Sequence, residues 1–356
     1  MLNPFKFGSV VDNNFFTDRV AETEEVQNVL NSNNHLILIS PRRFGKTSLV
    51  NKATSLVNRP VIYLDLQLIT DVPDLATQLL KRVLKIDRWE NIKHLLANFR
   101  IAPTIQLNPL TNNMDVVFYP ITSNSFIPLE DVLNLIEKIG EKGKKPIVVF
   151  DEFQEAISLS KTLTKQLRAT IQHHKHINYV FLGSIESMMR SIFETKKSPF
   201  YHFGHLMVLS KIPYDDFFDY LKTRFESVTD KSSEVAVEIL RFTAQHPYYT
   251  QQLAFYCWNF LEKNQYTELM LNEVIDSVVR VHDTDFERLW STISKTDKKI
   301  LIAIAMQEKV STLPQPTSTI YSGLKRLITQ GYLIKNEQYE LDDPFFRKWI
   351  VEKRKV

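Results

Sequence analysis

The chain has 356 residues, enough for two or three domains that each bury their own core. A net charge of +3 at pH 7, 44% hydrophobic residues and only 8 glycines exclude collagen-like and disordered classes. The single cysteine, Cys257, excludes an internal disulfide and indicates a reducing compartment. No signal-peptide pattern and no apolar run of membrane-spanning length is present, so we expect a cytoplasmic protein with no membrane partner.

Residues 35–210 alternate short apolar runs with helical patterns, which indicates a parallel sheet covered by helices. The runs are nearly continuous, as expected for strands that are buried on both faces. They predict five strands, at Leu36–Ile39, Val61–Leu64, Ile147–Phe150, Tyr179–Leu182 and Leu206–Leu209. Between Trp89 and Ser125 the pattern is irregular and contains proline, and we predict a helical excursion followed by an extended connection.

The first strand runs into "SPRRFGKTSLV", which predicts a loop that binds phosphate. Such a site needs a buried strand, a loop with inward backbone N–H groups, and Lys and Ser/Thr at the start of a helix. Gly45 would let the backbone approach the phosphates, Lys46 would reach the β- and γ-phosphates, and the Thr47 hydroxyl would bind Mg²⁺. The expected nucleotide contacts are Ser40, Pro41, Arg42, Arg43, Phe44, Gly45, Lys46, Thr47 and Ser48.

Two later strands end in polar residues that complete this site. "KKPIVVFDEFQE" places Asp151 where it can hold the metal and Glu152 where it can orient or deprotonate the attacking water. The alternative is a helix cap, because carboxylates favour helix N-termini. "NYVFLGSIESMM" places Ser184 where a hydroxyl can sense the γ-phosphate, with a plain strand-to-helix turn as the alternative.

After Pro213 the apolar residues recur at three- and four-residue spacing, which predicts a small helical bundle. Pro213 and Pro247 stand at expected helix starts. From Ser291 the pattern predicts two helices, then two short strands around Asn336. This order is typical of a winged helix-turn-helix.

Six segments together resemble the archaeal-type ATPase family, a member of the STAND class of P-loop NTPases that is related to AAA+ proteins. They are "FFTDRVAE", "SPRRFGKTSL", "VVFDEFQE", "FLGSIESMM", "QHPYYTQQLA" and "YELDDPFFRKWI", in the family's order. The resemblance implies an α/β fold with an ASCE-type parallel core and a strand between the phosphate-loop strand and the Asp-Glu strand. It also implies three domains: an ATPase core at 1–211, an all-α lid at 212–289 and a winged helix at 290–356.

The resemblance also implies residue roles. Lys46, Thr47, Asp151, Glu152 and Ser184 match the family's nucleotide, metal, water and sensor positions. Further matches are Arg19 near the adenine and His246-Pro247 in a lid motif that packs on the base or ribose. Two residues depart from the pattern: Ser40 replaces the first loop glycine and Gln245 replaces the lid glycine. A left-handed backbone at Ser40 would be strained, whereas an extended one would be harmless.

Other polar groups leave alternatives open. The candidates for phosphate or intersubunit contacts are Arg42, Arg43, Arg168 and Arg190, and each is equally readable as a surface or capping arginine. "QHHKH" (His173, His174 and His176) is interpreted as a solvated helix end because no second ligand cluster accompanies it. Over 290–356, 12 basic residues exceed 7 acidic ones by 5, which suggests DNA contact through Thr317–Thr319, Tyr321, Ser322, Lys325 and Arg326. Protein docking is the alternative.

The sequence therefore predicts a slow, Mg²⁺-dependent ATPase that binds ATP and ADP and acts as a molecular switch, with DNA, a protein or further copies of itself as partners. One alternative is a DNA-binding regulator in which ATP is only a structural ligand. The other is a protein-interaction scaffold in signalling or defence.

Overall fold

The structure is a computed structural model that describes residues 2–9, 16, 19–87, 89–107, 114–118, 125–143, 145–335 and 338–354. It divides into two compact units. The sheet unit comprises Val20–Ser40 and Lys46–Leu209, and the helical unit comprises Met1–Arg19, Pro41–Gly45 and Ser210–Val356. Among the described residues, no helix combines the length and apolar character needed to cross a membrane.

The sheet unit alternates strands and helices. Its elements are α1 (Val20–Asn31), β1 (Leu36–Ile39), α2 (Lys46–Leu56), β2 (Val61–Asp65), α3 (Val72–Ile86), α4 (Trp89–Leu96), β3 (Pro103–Leu107), β4 (Met114–Phe118), α5 (Ile127–Lys142), β5 (Ile147–Asp151), α6 (Ala156–Leu159), α7 (Leu163–Ile171), β6 (Asn178–Gly183), α8 (Glu186–Phe193) and β7 (His205–Val208). Short 3₁₀ turns follow β2 and β5, at Leu66–Leu68 and Phe153–Glu155.

Five of these strands form one parallel sheet in the order β2-β5-β6-β1-β7. All five predicted strands are confirmed, with bounds that differ by at most one residue at either end. Strands β1, β5 and β6 are buried along their whole length, which explains their uninterrupted apolar sequences. β6 lies between the phosphate-loop strand β1 and the Asp-Glu strand β5, so the predicted intervening strand is confirmed.

The irregular segment after Trp89 differs from its prediction. It contains the expected helix α4, but the extended part is an antiparallel pair, β3–β4, with Pro103 opposite Phe118 and Leu107 opposite Met114. β4 packs on α3, whose apolar face is buried. The proline at the first position of β3 is a place that a two-stranded ladder tolerates.

The helical unit is built mainly from its C-terminal part. Its elements are α9 (Tyr214–Phe225), α10 (Ser232–Thr243), α11 (Pro247–Leu261), α12 (Met270–Val281), α13 (Asp283–Thr292), α14 (Lys295–Ala305), α15 (Thr317–Thr329), β8 (Leu333–Lys335), β9 (Tyr339–Leu341) and α16 (Pro344–Lys353). Helices α12 and α13 meet at His282. Asn336 and Glu337, the expected tip of the wing, lie outside the described residues.

The N-terminal residues belong to the core of the helical unit. Phe5 is 2% exposed and its ring lies 4.9 Å from that of Phe225. Asn3 donates its side-chain amide to the Phe255 carbonyl at 3.0 Å and to Asn259 at 2.8 Å. These contacts join the first residues to α9 and α11. The division of the chain into domains at 211 and 289 remains a prediction.

The C-terminal segment has the predicted order of two helices and an antiparallel strand pair, β8–β9. It then adds a helix that was not predicted, α16, in which Phe345, Phe346, Trp349 and Ile350 are buried. Two basic residues at the end of this segment form ion pairs, with Arg354 2.5 Å from Glu287 and Lys353 3.5 Å from Asp283.

Candidate functional site at the carboxyl edge of the sheet

The carboxyl ends of β1, β5 and β6 meet at one edge of the parallel sheet. Ile39 is paired with Gly183, and Phe150 with Phe181, so the residues that follow these strands lie at the same level. The Ser40 amide donates to the Gly183 carbonyl at 3.2 Å. We call the group formed there by Lys46, Thr47, Asp151, Glu152 and Ser184 the sheet-edge site.

Lys46, the first residue of α2, is only 6% exposed. Its Nζ lies 3.5 Å from Oε1 of Glu152. A buried ammonium group needs an anionic partner, because desolvation without one is costly. The structure therefore places the predicted phosphate-binding lysine beside the predicted catalytic carboxylate.

Asp151 receives two hydroxyl groups on the same oxygen. Thr47 donates from Oγ1 to Asp151 Oδ2 at 3.0 Å, and the Tyr63 phenol donates to that oxygen as well. Burial and the contact with Asp151 raise the pKa of Tyr63 above its usual range, so the phenol remains a proton donor. Tyr63 lies on β2, which pairs with β5 and ends with Asp65 opposite Asp151.

Glu152 is held by groups from β6 and from its own turn. Its Oε2 accepts from Ser184 Oγ at 2.6 Å, from the Ser184 amide at 3.3 Å and from the Gln154 side-chain amide at 2.6 Å. Gln154 is fully buried, and its own Oε1 makes no hydrogen bond among the described residues. The carboxylate is thus fixed in direction by donors on one oxygen and Lys46 on the other.

The helix-cap alternative for the acidic pair is excluded for Glu152. This residue precedes the 3₁₀ turn Phe153–Glu155, but its side chain makes no capping hydrogen bond. Its backbone is left-handed, with φ of 50°, a conformation that costs a non-glycine residue about 1–2 kcal/mol. Such strain persists only where the surroundings fix the residue, as the contacts of this carboxylate do.

The tip of the loop, residues 41–45, belongs to the helical unit. Gly45 has φ of 88°, and an added Cβ would meet nothing within 4 Å, so the backbone conformation rather than space favours glycine there. Ser40 is buried and is absent from the described residues with positive φ, so its replacement of glycine causes no strain. Pro41 is partly exposed, Arg42 is exposed and Ser48 is buried in α2.

Arg19, His246 and Pro247 also lie in the helical unit. The Arg19 guanidinium donates to the Ser210 carbonyl at 2.7 Å and to the Phe44 carbonyl at 3.4 Å. His246 is the N-cap of α11 and Pro247 its first residue, so the predicted helix start is confirmed. The His246 ring packs on Phe44, at 4.9 Å between ring centres, and contacts Asp342 at 3.2 Å.

A comparison with known protein families identifies the family to which the chain belongs. A family model described as "ATPase domain predominantly from Archaea" matches residues 16–253, more than half of the chain. The chain belongs to this family. Its members are ATPase domains, so the general activity expected of the chain is ATP binding and hydrolysis.

Solved structures show the same P-loop fold. The Walker-type ATPase of Pyrococcus abyssi is 17% identical, with a TM-score of 0.64 over 94% of this chain and 95% of that one. Aeropyrum pernix ORC2, solved as ADPNP–ADP complexes, is 14% identical, with a TM-score of 0.54 over 98% and 99%. A Thermotoga maritima RuvB mutant gives 12% and 0.51, over 96% of each chain. No curated protein gave a significant sequence match.

The metal that the ATPase fold implies can be tested against the side chains present. Thr47 and Asp151 offer a hydroxyl and a carboxylate whose oxygens lie 3.0 Å apart. Mg²⁺ in nucleotide sites takes one or two such oxygen ligands along with phosphates and water. The donor set of this ATPase therefore fits Mg²⁺.

The arginine candidates separate into different environments. Arg190 forms ion pairs along α8 with Glu186 and Glu194, each at 2.7 Å. The Arg168 guanidinium lies 4.5 Å over the Phe203 ring. Arg43 contacts tyrosines of α11, donating to the Tyr249 hydroxyl at 2.9 Å. Arg42 is exposed.

The histidine-rich segment, which we interpreted as a solvated helix end, also makes hydrogen bonds within the protein. His174 contacts the Tyr179 hydroxyl at 2.7 Å and Asn134 at 3.1 Å, and burial lowers the pKa of His174. Ligand atoms of His176, Glu137 and Glu141 lie within 4.8 Å of one another, a cluster that the sequence did not reveal. Glu137 already accepts backbone N–H groups of the segment, at 2.8 Å from Lys175 and 3.0 Å from His176, so it caps the turn.

Sequence reasoning missed Tyr63 and Gln154. Tyr63 precedes Asp65 in a strand that alternates partly and fully buried residues, and only its pairing with β5 brings the phenol to Asp151. Gln154 was visible in "DEFQE", two residues after Glu152, but its fully buried position was not. The signal that could have been used is an amide side chain shortly after an acidic pair, since amides are frequent hydrogen-bond partners of carboxylates.

Proposed function

We propose that this chain is a Mg²⁺-dependent ATPase in which Glu152 activates the attacking water, and that it acts as a slow molecular switch. The observation that carries the proposal is the convergence of Lys46 and Thr47, at the start of α2, with Glu152 and Asp151, at the end of β5. An ammonium group, a hydroxyl and two carboxylates in this arrangement are the components of phosphoryl transfer to water.

Each side chain has a defined task in this scheme. Lys46 stabilises negative charge on the β- and γ-phosphates, and the backbone amides of residues 42–45 help to bind them. Bound Mg²⁺, held by Thr47 and Asp151, supplies charge neutralisation at the phosphates. Tyr63 donates to the same oxygen of Asp151 as Thr47 does, and so fixes the direction of this carboxylate.

Glu152 is the proposed general base, and Ser184 and Gln154 set its orientation. Both donors bind one oxygen, so the other oxygen faces Lys46. When phosphates draw Lys46 away from Glu152, that second oxygen becomes free to accept a proton from water. Ser184 follows β6, which lies between β1 and β5 in the sheet, and this position supports the proposed role of its hydroxyl as a sensor of the γ-phosphate.

Paired variants test the proposal. We expect Lys46→Ala to abolish binding of Mg·ATP. We expect Glu152→Gln to retain binding and to lower the rate of phosphate release by about 10²-fold or more, the usual contribution of a general base. Lys52→Ala, on the same helix α2, serves as the matched control and should retain both properties. Calorimetry and steady-state phosphate release provide the measurements.

The same experiment separates hydrolysis from purely structural binding. Equal, near-zero rates for wild type and Glu152→Gln, with binding intact, would support a DNA-binding regulator in which ATP is only a structural ligand. Wild type that ignores Mg·ATP at millimolar concentration would overturn nucleotide binding itself. A rate that survives Glu152→Gln would assign the base elsewhere.

We further propose that nucleotide state sets the position of the helical lid (212–289) and of a winged helix (290–356). The loop tip that precedes Lys46 contacts α11, which supports a connection between the loop and the lid. The segment α14, α15, β8 and β9 has the element order of a winged helix. Limited proteolysis with and without Mg·ATP tests this coupling, and identical cleavage patterns would reject it.

We propose that the winged helix binds DNA or a protein partner. The exposed start of α15 carries Thr317, Ser318 and Thr319, with Tyr321 67% exposed, which suits a binding surface. Arg326 is engaged in a bidentate ion pair with Asp297, at 2.6 and 2.8 Å, so less positive charge faces outward than the sequence suggested. Retention on duplex DNA that falls steeply with salt would support DNA, whereas no retention at physiological salt would favour a protein partner.

A further inference from the structure

Two neighbouring residues at the tip of the phosphate loop contact helix α11. Arg43 donates from Nη1 to the Tyr249 hydroxyl at 2.9 Å, and its guanidinium lies 4.7 Å over the Tyr248 ring. Phe44 packs edge-on against the His246 ring, at 4.9 Å between centres. Both contacts fall in the first turn of α11 or at its cap.

His246, the N-cap of α11, and Tyr249, in its first turn, also contact the acidic pair that precedes α16. His246 Nε2 lies 3.2 Å from Asp342 Oδ1, and the Tyr249 hydroxyl is hydrogen-bonded to Asp343. A tyrosine hydroxyl has one proton and can also accept, so Tyr249 accepts from Arg43 and donates to Asp343. One chain of contacts runs through residues 43, 249 and 343 and leads to the start of α16. A second, through residues 44, 246 and 342, lies beside it and supports it.

Asp343 also forms hydrogen bonds with the backbone of α16. It is the N-cap of this helix, and its Oδ1 accepts from the amides of Phe345 at 2.8 Å and Phe346 at 3.1 Å. The buried side chains of α16 pack on α12, α13 and α14. A change in the position of the Asp343 side chain is therefore expected to alter the stability of α16, the helix that follows β9.

The backbone of Arg43 indicates that its side-chain contacts fix the loop tip. Its φ of 63° is left-handed, which is unfavourable for a residue with a Cβ and persists where neighbours fix it. Arg43 is exposed as a residue, so its two tyrosine contacts, rather than close packing on all sides, are what hold it. The loop tip and the start of α16 are thus joined through α11.

We propose that these six residues, Arg43, Phe44, His246, Tyr249, Asp342 and Asp343, transmit nucleotide binding at the phosphate loop to α16. We name them the loop–α16 relay. The inference rests on the proposed nucleotide binding and deepens it, because it identifies the residues through which the C-terminal segment responds. Arg43 is then a positioning residue of the loop tip.

Amide hydrogen exchange of α16, measured with and without a non-hydrolysable ATP analogue and Mg²⁺, tests the relay in the full chain. In wild type the analogue should slow exchange in α16 roughly fivefold or more, the lower end of typical coupling between sites. Tyr249→Phe, which removes only the hydroxyl, should abolish this difference. Tyr248→Phe keeps the ring beneath Arg43 and is the matched control, which should behave as wild type.

Asp343→Asn provides a second variant that keeps an N-capping oxygen, so the relay can be judged even if Tyr249→Phe folds poorly. It should also lose the nucleotide-dependent slowing. Binding of the analogue to wild type without any change in α16 would overturn the relay alone. Absence of binding would overturn the proposed function and, with it, this inference. Full slowing in folded Asp343→Asn would likewise overturn it.

Discussion

At the scale of single residues, Glu152 shows how neighbouring side chains fix the direction of a carboxylate in this site. Three donors converge on one of its oxygens and an ammonium group lies near the other. Its left-handed backbone is tolerated because these contacts over-determine its position. The proposed general base is therefore also a strained residue, and local stability is lost there in exchange for orientation.

Tyr63 gives a prediction for Asp151, the carboxylate that we propose as a Mg²⁺ ligand. Tyr63→Phe removes one of the two hydroxyl donors to Asp151 Oδ2 and leaves the ring in place. We expect the free energy of unfolding to fall by about 1.5–3 kcal/mol, the range for hydrogen bonds to charged groups. The Mg²⁺ concentration for half-maximal ATPase activity should also change, because Asp151 loses a group that orients it.

Denaturant unfolding and Mg²⁺ titration of the ATPase rate check this expectation. Tyr201→Phe is a suitable control, since that ring lies against His202 on the surface of the sheet unit. Wild-type values of both stability and Mg²⁺ dependence in Tyr63→Phe would show that the phenol does not position Asp151.

His35 gives a prediction for pH dependence. Burial lowers its pKa to about 4, and positive charges of Lys145 and Arg168 add to the effect. Its Nδ1 accepts from the Tyr179 amide at 3.2 Å, which requires the unprotonated ring. The unfolded chain binds a proton near pH 6.5 and the folded chain does not, so stability is present above that pH and is lost as pH falls towards 4.

Between pH 7 and pH 5 this linkage should lower the unfolding free energy of wild type by about 2 kcal/mol relative to His35→Gln. Other titrating groups are shared by the two proteins and cancel in the comparison. Denaturant unfolding at both pH values measures the difference, and NMR titration of the His35 ring measures its pKa. Parallel stability curves for the two proteins would contradict the assignment.

At the scale of elements, the strands were predictable and their side-chain partners were not. β1, β5 and β6 are buried along their whole length, so each contains a continuous apolar run in the sequence. The antiparallel pair β3–β4 gives no such run, and its proline argued against a strand. α16 was not predicted because its sequence mixes basic with aromatic residues, and only the structure shows that the aromatic residues are core.

In the candidate site, too, the positions of the main residues could be predicted from the sequence, whereas the side chains that contact them could not. Lys46, Thr47, Asp151, Glu152 and Ser184 could be predicted because each follows a strand end or opens a helix, and parallel strands bring such positions together. The sequence does not show which side chains hold them. Tyr63 reaches Asp151 through strand pairing, and Tyr249 meets Arg43 across 206 positions of sequence.

Gly183 gives a prediction at the end of β6. An added Cβ would lie 2.3 Å from the Met189 side chain and 2.9 Å from Gln154 Oε1. We expect Gly183→Ala to lower the unfolding free energy by about 1–3 kcal/mol, the usual cost of overpacking. It should also displace Gln154 from Glu152 and lower the rate of hydrolysis.

A double variant distinguishes the clash from a backbone effect. In Gly183→Ala combined with Met189→Ala, the shorter side chain makes room, so the combined loss of stability should be smaller than the sum of the single losses. Additive losses, measured by denaturant unfolding, would mean that the clash with Met189 is not the cause.

At the scale of the whole molecule, the helical unit is assembled from three separate parts of the chain. The loop tip at 41–45 joins α11 through Arg43 and Phe44, and the first residues join α9 and α11 through Asn3 and Phe5. The core of this unit therefore contains contacts between residues more than 200 positions apart. Its stability depends on all three parts.

Phe5→Ala tests this dependence. Removing a ring that is 2% exposed should cost about 3–5 kcal/mol of stability in the helical unit, through lost burial and the cavity that remains. Leu2→Ala is the control, because Leu2 is 87% exposed and its loss should be nearly neutral. Thermal unfolding of the two variants provides the comparison, and equal midpoints would show that the N-terminal contacts contribute little.

The docking of Phe5 against Phe225 also has a consequence for biosynthesis. Ribosomes add roughly 5–20 residues per second, so ~10–40 s pass between the synthesis of Phe5 and that of α9. During that interval Phe5 and Phe7 are solvated aromatic groups on a polypeptide that is otherwise folding, a feature that chaperones bind. Phe5 therefore reaches its native contacts only after more than 200 further residues have been made.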